Sequence, residues 1–118
     1  MIVCVLDDLI FSVKISTVAK AVGAEVYFER KPDMAVERIK EKQPSLVILD
    51  LSSAKMQPLR VIADLKADPL TRAIPTLGFV SHVQTDTIAA AKAAGIDEVL
   101  ARSTFSDRLG GILSGRPT

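Results

Sequence analysis

Apolar residues along this chain follow two rhythms. In the first they run without a break, as in Ile2 to Leu6 and again in Leu46 to Leu49 within the stretch from Ser45 to Ser53. Such runs suit strands of a parallel sheet covered on both faces. In the second they return every three or four positions: Phe11, Ile15, Val18 and Val22 do so, with Ser12, Lys14, Ser16 and Lys20 between them. That is one face of a helix.

The rhythms alternate to the end of the chain. The first strand, Ile2 to Leu6, leads into a helix from Leu9 that Gly23 can cap in a left-handed conformation. Glu25 to Phe28 reads as a short strand. Pro32 and Asp33 open a second helix, a residue locked at helical φ followed by a negative charge in the first turn. Its apolar stripe is Ala35, Val36 and Ile39, and Pro44 closes it.

After the central strand, residues 51 to 57 read as a loop. Pro58 opens a third helix with Leu59, Ile62 and Leu65 inward, and Asp68-Pro69 marks a turn. Thr76 to Val80 is a fourth strand ending at Ser81 and His82. Thr85 or Asp86 can cap a fourth helix that buries Ile88, Ala91 and Ala94 and stops at Gly95. Glu98 to Ala101 is a fifth strand ending at Arg102. Ser103 or Thr104 can cap a last helix through Leu109, Ile112 and Leu113. Gly110 and Gly111 each weaken that helix by roughly 1 kcal/mol, so it should be the least stable element. Strand and helix in strict turn, joined by right-handed crossovers, predict an α/β fold: a doubly wound parallel sheet of five strands with helices on both faces, flavodoxin-like.

Composition narrows the function classes. A chain of 118 residues suits a single domain spanning 1–118. Its net charge of +1 gives no electrostatic reason to expect nucleic acid or an anionic membrane as partner. No stretch reads as a signal peptide or a bilayer span, so the expected location is cytoplasmic. Cys4 is the only cysteine and lies inside an apolar run, where it acts as a small hydrophobe.

The chemistry gathers where the strands end. Asp7 and Asp8 follow the first strand, Asp50 the third, Ser81 the fourth and Arg102 the fifth. In an open α/β sheet these positions form one rim. Three carboxylates there would repel one another unless a cation intervened, and a few carboxylates with water is the pattern that suits Mg²⁺. A phosphoryl group on Asp50 would complete the set, with a metal and Arg102 against its oxygens and the Ser81 hydroxyl donating to it.

These residues, in this order, resemble the receiver domain of two-component response regulators over nearly the whole chain. Asp7-Asp8 is similar to the family's acidic pair, Asp50 in Val-Ile-Leu-Asp-Leu to its phosphoacceptor, and Phe79-Val80-Ser81 after Ile74-Pro75-Thr76 to its fourth strand and switch hydroxyl. Ala93-Ala94-Gly95-Ile96-Asp97-Glu98 is similar to its turn into the last strand. The resemblance implies phosphoryl transfer from a histidine kinase or phosphotransfer protein to Asp50. It implies Mg²⁺ held by Asp7, Asp8, Asp50 and the main-chain carbonyl of Ser52. It implies signalling to a downstream protein by contact through a face that includes His82, Arg102, Phe105 and Arg108, a face that also allows a homodimer. No output domain follows, so a stand-alone receiver is expected.

The chain departs from the family at several places. Arg102 and Ser103 stand where the family has a lysine, usually followed by proline, and Val99 stands for the switch aromatic. His82 replaces a small residue, and Ser53-Ala54 and Pro58 replace the Met-Pro pair and a later glycine. Arginine for lysine is not a conservative exchange at a tight site, and Arg102 could clamp Asp50 bidentately. That clamp, with Val99 and the missing Met-Pro pair, favours the alternative, a pseudo-receiver that binds a protein partner without phosphorylation. A Mg²⁺-dependent phosphohydrolase with Asp50 as nucleophile lacks its second aspartate, since Ser52 stands there, so the chain is not expected to be an enzyme. Flavin or dinucleotide binding conflicts with Asp7 and Asp8 at the first turn.

Overall fold

A computed structural model of the chain describes residues 1–81 and 84–115. Five strands alternate with helices: β1 (Ile2–Val5), α1 (Leu9–Val22), β2 (Val26–Glu29), α2 (Pro32–Lys42), β3 (Leu46–Asp50), α3 (Pro58–Ala67), β4 (Thr76–Val80), α4 (Thr85–Ala94), β5 (Glu98–Ala101), α5 (Arg102–Asp107) and α6 (Leu109–Leu113). All strand pairs are parallel, in the order β2-β1-β3-β4-β5. The order reverses between β1 and β3. A crevice opens at such a switch point, beyond the carboxyl ends of the two strands.

Alternate residues of the unbroken runs enter two different cores, as a period of two requires. Val3, Val5, Val47 and Leu49 pack with Ala35, Ile39, Ile62, Leu65 and Ala91 of α2, α3 and α4. Cys4, Leu6, Ile48, Leu77 and Phe79 pack with Phe11 and Ile15 of α1 and with Phe105, Leu109 and Leu113 of α5 and α6. Three phenylalanines form the heart of this second layer. Phe79 lies 4.9 Å from Phe11 and 4.8 Å from Phe105, centroid to centroid.

The predicted helix ends at Gly23 and Gly95 are present, both glycines being left-handed with φ of 73° and 107°. Several details differ from the sequence reading. Leu59 is exposed, and Val61 takes its place in the core beside Ile62 and Leu65. The loop after β3 contains one 3₁₀ turn, Ala54–Met56, which buries Met56. Gln84, rather than Thr85 or Asp86, precedes α4, and Ala101, rather than Ser103 or Thr104, precedes α5. Arg102 is therefore a helical residue. The last helix is two short pieces broken at Arg108, with Gly110 and Gly111 in the second. No helix among the described residues is long and apolar enough to cross a membrane.

Two packing features fix the strand ends. Gly78 lies in the middle of β4, and a Cβ there would come within 2.7 Å of the Leu51 side chain and 2.8 Å of Ile96. The missing side chain lets Leu51 fold down immediately after Asp50. At the opposite edge, Asp97 Oδ2 accepts from Lys66 Nζ (2.9 Å) and from both the N–H and the hydroxyl of Thr76 (2.8 and 2.9 Å). This ties the start of β4 to the start of β5.

Candidate functional site

The backbone of β1 and β3 runs in register, with Val5 beside Leu49, so the residues that follow leave the sheet together. Asp7, Asp8 and Asp50 come from these two ends, Ser81 from the end of β4 and Arg102 from the end of β5. Burial is the main influence on the Asp50 pKa, and these neighbours are close enough to act on it too: Arg102 lowers it, and Asp8 and then Asp7 raise it.

Asp8 is the N-cap of α1. Its Oδ1 accepts the Phe11 N–H at 2.9 Å, satisfying one of the donors a helix leaves unpaired at its start. Its Oδ2 accepts from Arg102 Nη2 at 2.7 Å. The Phe11 amide, then the guanidinium, hold the Asp8 carboxyl below its ordinary value.

Asp50 has the opposite environment. The residue is 7% exposed. Burial raises its pKa above the ordinary carboxylate value, against the pull of the Ser52 N–H and of Arg102. Its Oδ1 accepts that Ser52 N–H at 2.9 Å, an Asx turn that bends the chain away from the sheet.

Arg102 does not clamp Asp50 as the pseudo-receiver alternative would have it. Its bond goes to Asp8, and its guanidinium lies over the ring of Phe11 at 4.3 Å and 5.9 Å from that of Phe79. A planar cation is well suited to such a platform, which lysine would use less fully. The helical start at Arg102 and the aromatic layer beneath together aim the side chain across the rim toward α1.

The serines make a second network. Ser53 Oγ donates to Asp7 Oδ1 at 3.1 Å. Ser52 Oγ accepts the Ser81 N–H at 2.9 Å and donates to Gln84 Oε1 at 3.4 Å. The side chain of Ser52, for which sequence offered only a carbonyl, thus joins the loop after β3 to the loop after β4. Neither Gln84 nor the platform role of Phe11 is signalled by the sequence, where Phe11 reads only as part of the apolar face of the first helix.

Two members of the expected partner face fall away or aside. Phe105 is fully buried in the aromatic layer and offers no surface. His82 lies outside the described residues. The three carboxylates expected to hold Mg²⁺, Asp7, Asp8 and Asp50, are not gathered around one point as such an ion needs. Both oxygens of Asp8 are occupied, and one each of Asp7 and Asp50 accepts from a serine. Among the described residues, no three His, Cys, Asp or Glu side chains gather closely enough to hold a metal ion.

The fold that carries this rim has counterparts among solved structures. A response regulator from Hahella chejuensis superposes with a TM-score of 0.83 over 96% of this chain and 92% of its own, at 20% identity. Chemotaxis protein CheY4 of Vibrio cholerae also gives 0.83, over 98% and 97%, at 16% identity. The receiver domain of a sensor histidine kinase from Pseudomonas aeruginosa, solved with a magnesium ion coordinated in its active-site cleft, gives 0.80 over 97% and 96%, at 15% identity. The fold is that of a receiver domain. No protein-family model matches the chain, and no curated protein matches it. Within the receiver fold, the placement of Asp50 at the end of the central strand and of the acid pair at the end of β1 agrees with the sequence reading, while Arg102 takes a partner that reading did not give it.

Proposed function

We propose that this chain is a receiver in phosphorelay signalling and that Asp50 accepts the phosphoryl group. One observation supports this most: the Asp50 carboxylate sits at the carboxyl end of the middle strand, nearly buried, with a guanidinium near enough to lower its pKa. A carboxylate short of full hydration is a more reactive oxygen nucleophile than a solvated one.

The donor is a phosphohistidine on a kinase or phosphotransfer protein. Its N–P bond breaks and an Asp50 Oδ–P bond forms, giving a mixed anhydride, and the imidazole leaves to take a proton from water. The backbone amide of Ser52, the Ser81 hydroxyl and Arg102 are the groups to stabilise the added charge. Movement of Ser81 toward the phosphoryl group would break its N–H bond to Ser52 Oγ and free the loop before α4, which is how the change would reach a downstream protein. The protein is a switch rather than a turnover enzyme, and a cytoplasmic setting goes with that role. The pseudo-receiver reading loses one of its supports, the Arg102–Asp50 clamp, because Arg102 is bonded to Asp8 instead.

The test is intact mass after incubation with acetyl phosphate, with and without Mg²⁺. Wild type should gain one phosphoryl group that Asp50→Asn does not. Equal labelling of the two, or none of wild type under either condition, overturns the reading.

A further inference from the structure

Asp8, the second acid after β1, already has its cation. Arg102 Nη2 is 2.7 Å from Asp8 Oδ2, and the other oxygen of that carboxylate belongs to the amide of Phe11. The guanidinium is not swinging in solvent. It lies 4.3 Å over Phe11 and is about one-third exposed, and its backbone is the first residue of α5. Such an ion pair is usually weak when fully solvated, but the aromatic platform and the helix start here reduce the freedom lost in forming it.

We propose that Arg102 acts as a built-in cation that takes the charge role of a divalent ion beside Asp8 and Asp50, and that it closes this rim to Mg²⁺ in the resting protein. Two conditions for the ion are unmet. The three carboxylates are not gathered into a ligand group, and each oxygen of Asp8 already accepts a bond, one from the Phe11 amide and one from the guanidinium. Entry of a small dication would require Arg102 to leave Asp8, and the two positive charges would repel at close range. The proposal concerns the same rim as the phosphoryl-acceptor reading, yet its test uses no phosphodonor, so either can fail without the other.

The probe is Mn²⁺ alone, measured by electron paramagnetic resonance of the free ion and by broadening of amide signals. Arg102→Gln keeps much of the stem and a donor for Asp8 but removes the charge. It should bind Mn²⁺ about tenfold more tightly than wild type, or better, the change expected when a competing ion pair and a cation–π contact are lost together. Asp8→Asn combined with Arg102→Gln should lose that gain. In wild type, Mn²⁺ should broaden the amides of Asp7, Asp8 and Ser52 no more than those around the exposed Asp33. Selective broadening at the rim of wild type overturns the proposal even if the variants do not fold. So does equal affinity of wild type and Arg102→Gln, whether both bind tightly or neither binds.

Discussion

Asp8 and Asp50 end neighbouring strands of one sheet, and the two carboxylates are treated in opposite ways. Asp8 is about one-third exposed, with a helix amide on one oxygen and a guanidinium on the other, and its pKa is lowered. Asp50 is nearly buried, with a single amide on one oxygen, and its pKa is raised. The first is a structural anion that holds α1 and α5 to the rim. The second is a carboxylate whose charge the fold tolerates at a cost in stability, which is what a site of chemistry looks like. Position at a strand end is therefore not enough to assign a role; the number of donors facing each oxygen decides it.

The strongest way to disturb this contrast is to lift the loop that carries Asp50. Gly78→Ala forces its Cβ against Leu51 and Ile96, and we expect about 1–3 kcal/mol of destabilisation in a urea titration. If stability is unchanged, Leu51 is not held as described and the burial of Asp50 has another cause.

Removing the structural anion should come next. Asp8→Ala loses the helix cap and the partner of Arg102 and should cost about 1–2 kcal/mol. Asp8→Asn keeps the cap and should cost less than half of that. Equal losses would mean that the cap contributes nothing and that the whole effect lies in the Arg102 pair.

The functional carboxylate should respond with the opposite sign. Asp50→Asn is expected to raise stability at neutral pH by about 0.5–2 kcal/mol, because it removes a buried charge and leaves an oxygen for the Ser52 amide. The pH dependence follows from the same shifts. Asp8, with a lowered folded pKa, stabilises at neutral pH, and its contribution is lost as pH falls through that value. Asp50, with a raised folded pKa, favours the fold most below its unfolded pKa, and that advantage is lost as pH rises through the folded value. The acid limb of a stability curve should therefore steepen in Asp50→Asn and flatten in Asp8→Asn. The smallest effect is expected from Arg102→Lys, about 0.5 kcal/mol, since charge remains but the stacked plane over Phe11 is lost.

The fold was legible because its signals are local and repeated. Unbroken runs such as Leu46 to Leu49, helical periods such as Phe11, Ile15 and Val18, and glycines such as Gly23 and Gly95 each report on their own neighbourhood. The ends of the runs placed Asp7, Asp8 and Asp50 on one rim for the same reason. What the sequence did not show is which charge pairs with which. Arg102 chooses Asp8 over Asp50 because α5 begins at Arg102 and because Phe11 lies beneath it, and both facts depend on packing across 91 positions of chain between Phe11 and Arg102. The inward turn of Phe105 was missed because its aromatic partners, Phe11 and Phe79, come from distant elements. The role of Gln84 was missed because an isolated glutamine in a loop carries no periodic signal.

The division between the two carboxylates is open to direct observation. Carboxyl ¹³C chemical shifts of Asp8 and Asp50, followed by NMR across a pH titration of the wild-type protein, report each group separately. The account predicts that Asp8 titrates below an ordinary aspartate and Asp50 above it, and that Arg102→Gln moves both upward, since the guanidinium favours the charged form of each. Asp50 titrating below Asp8 would contradict it.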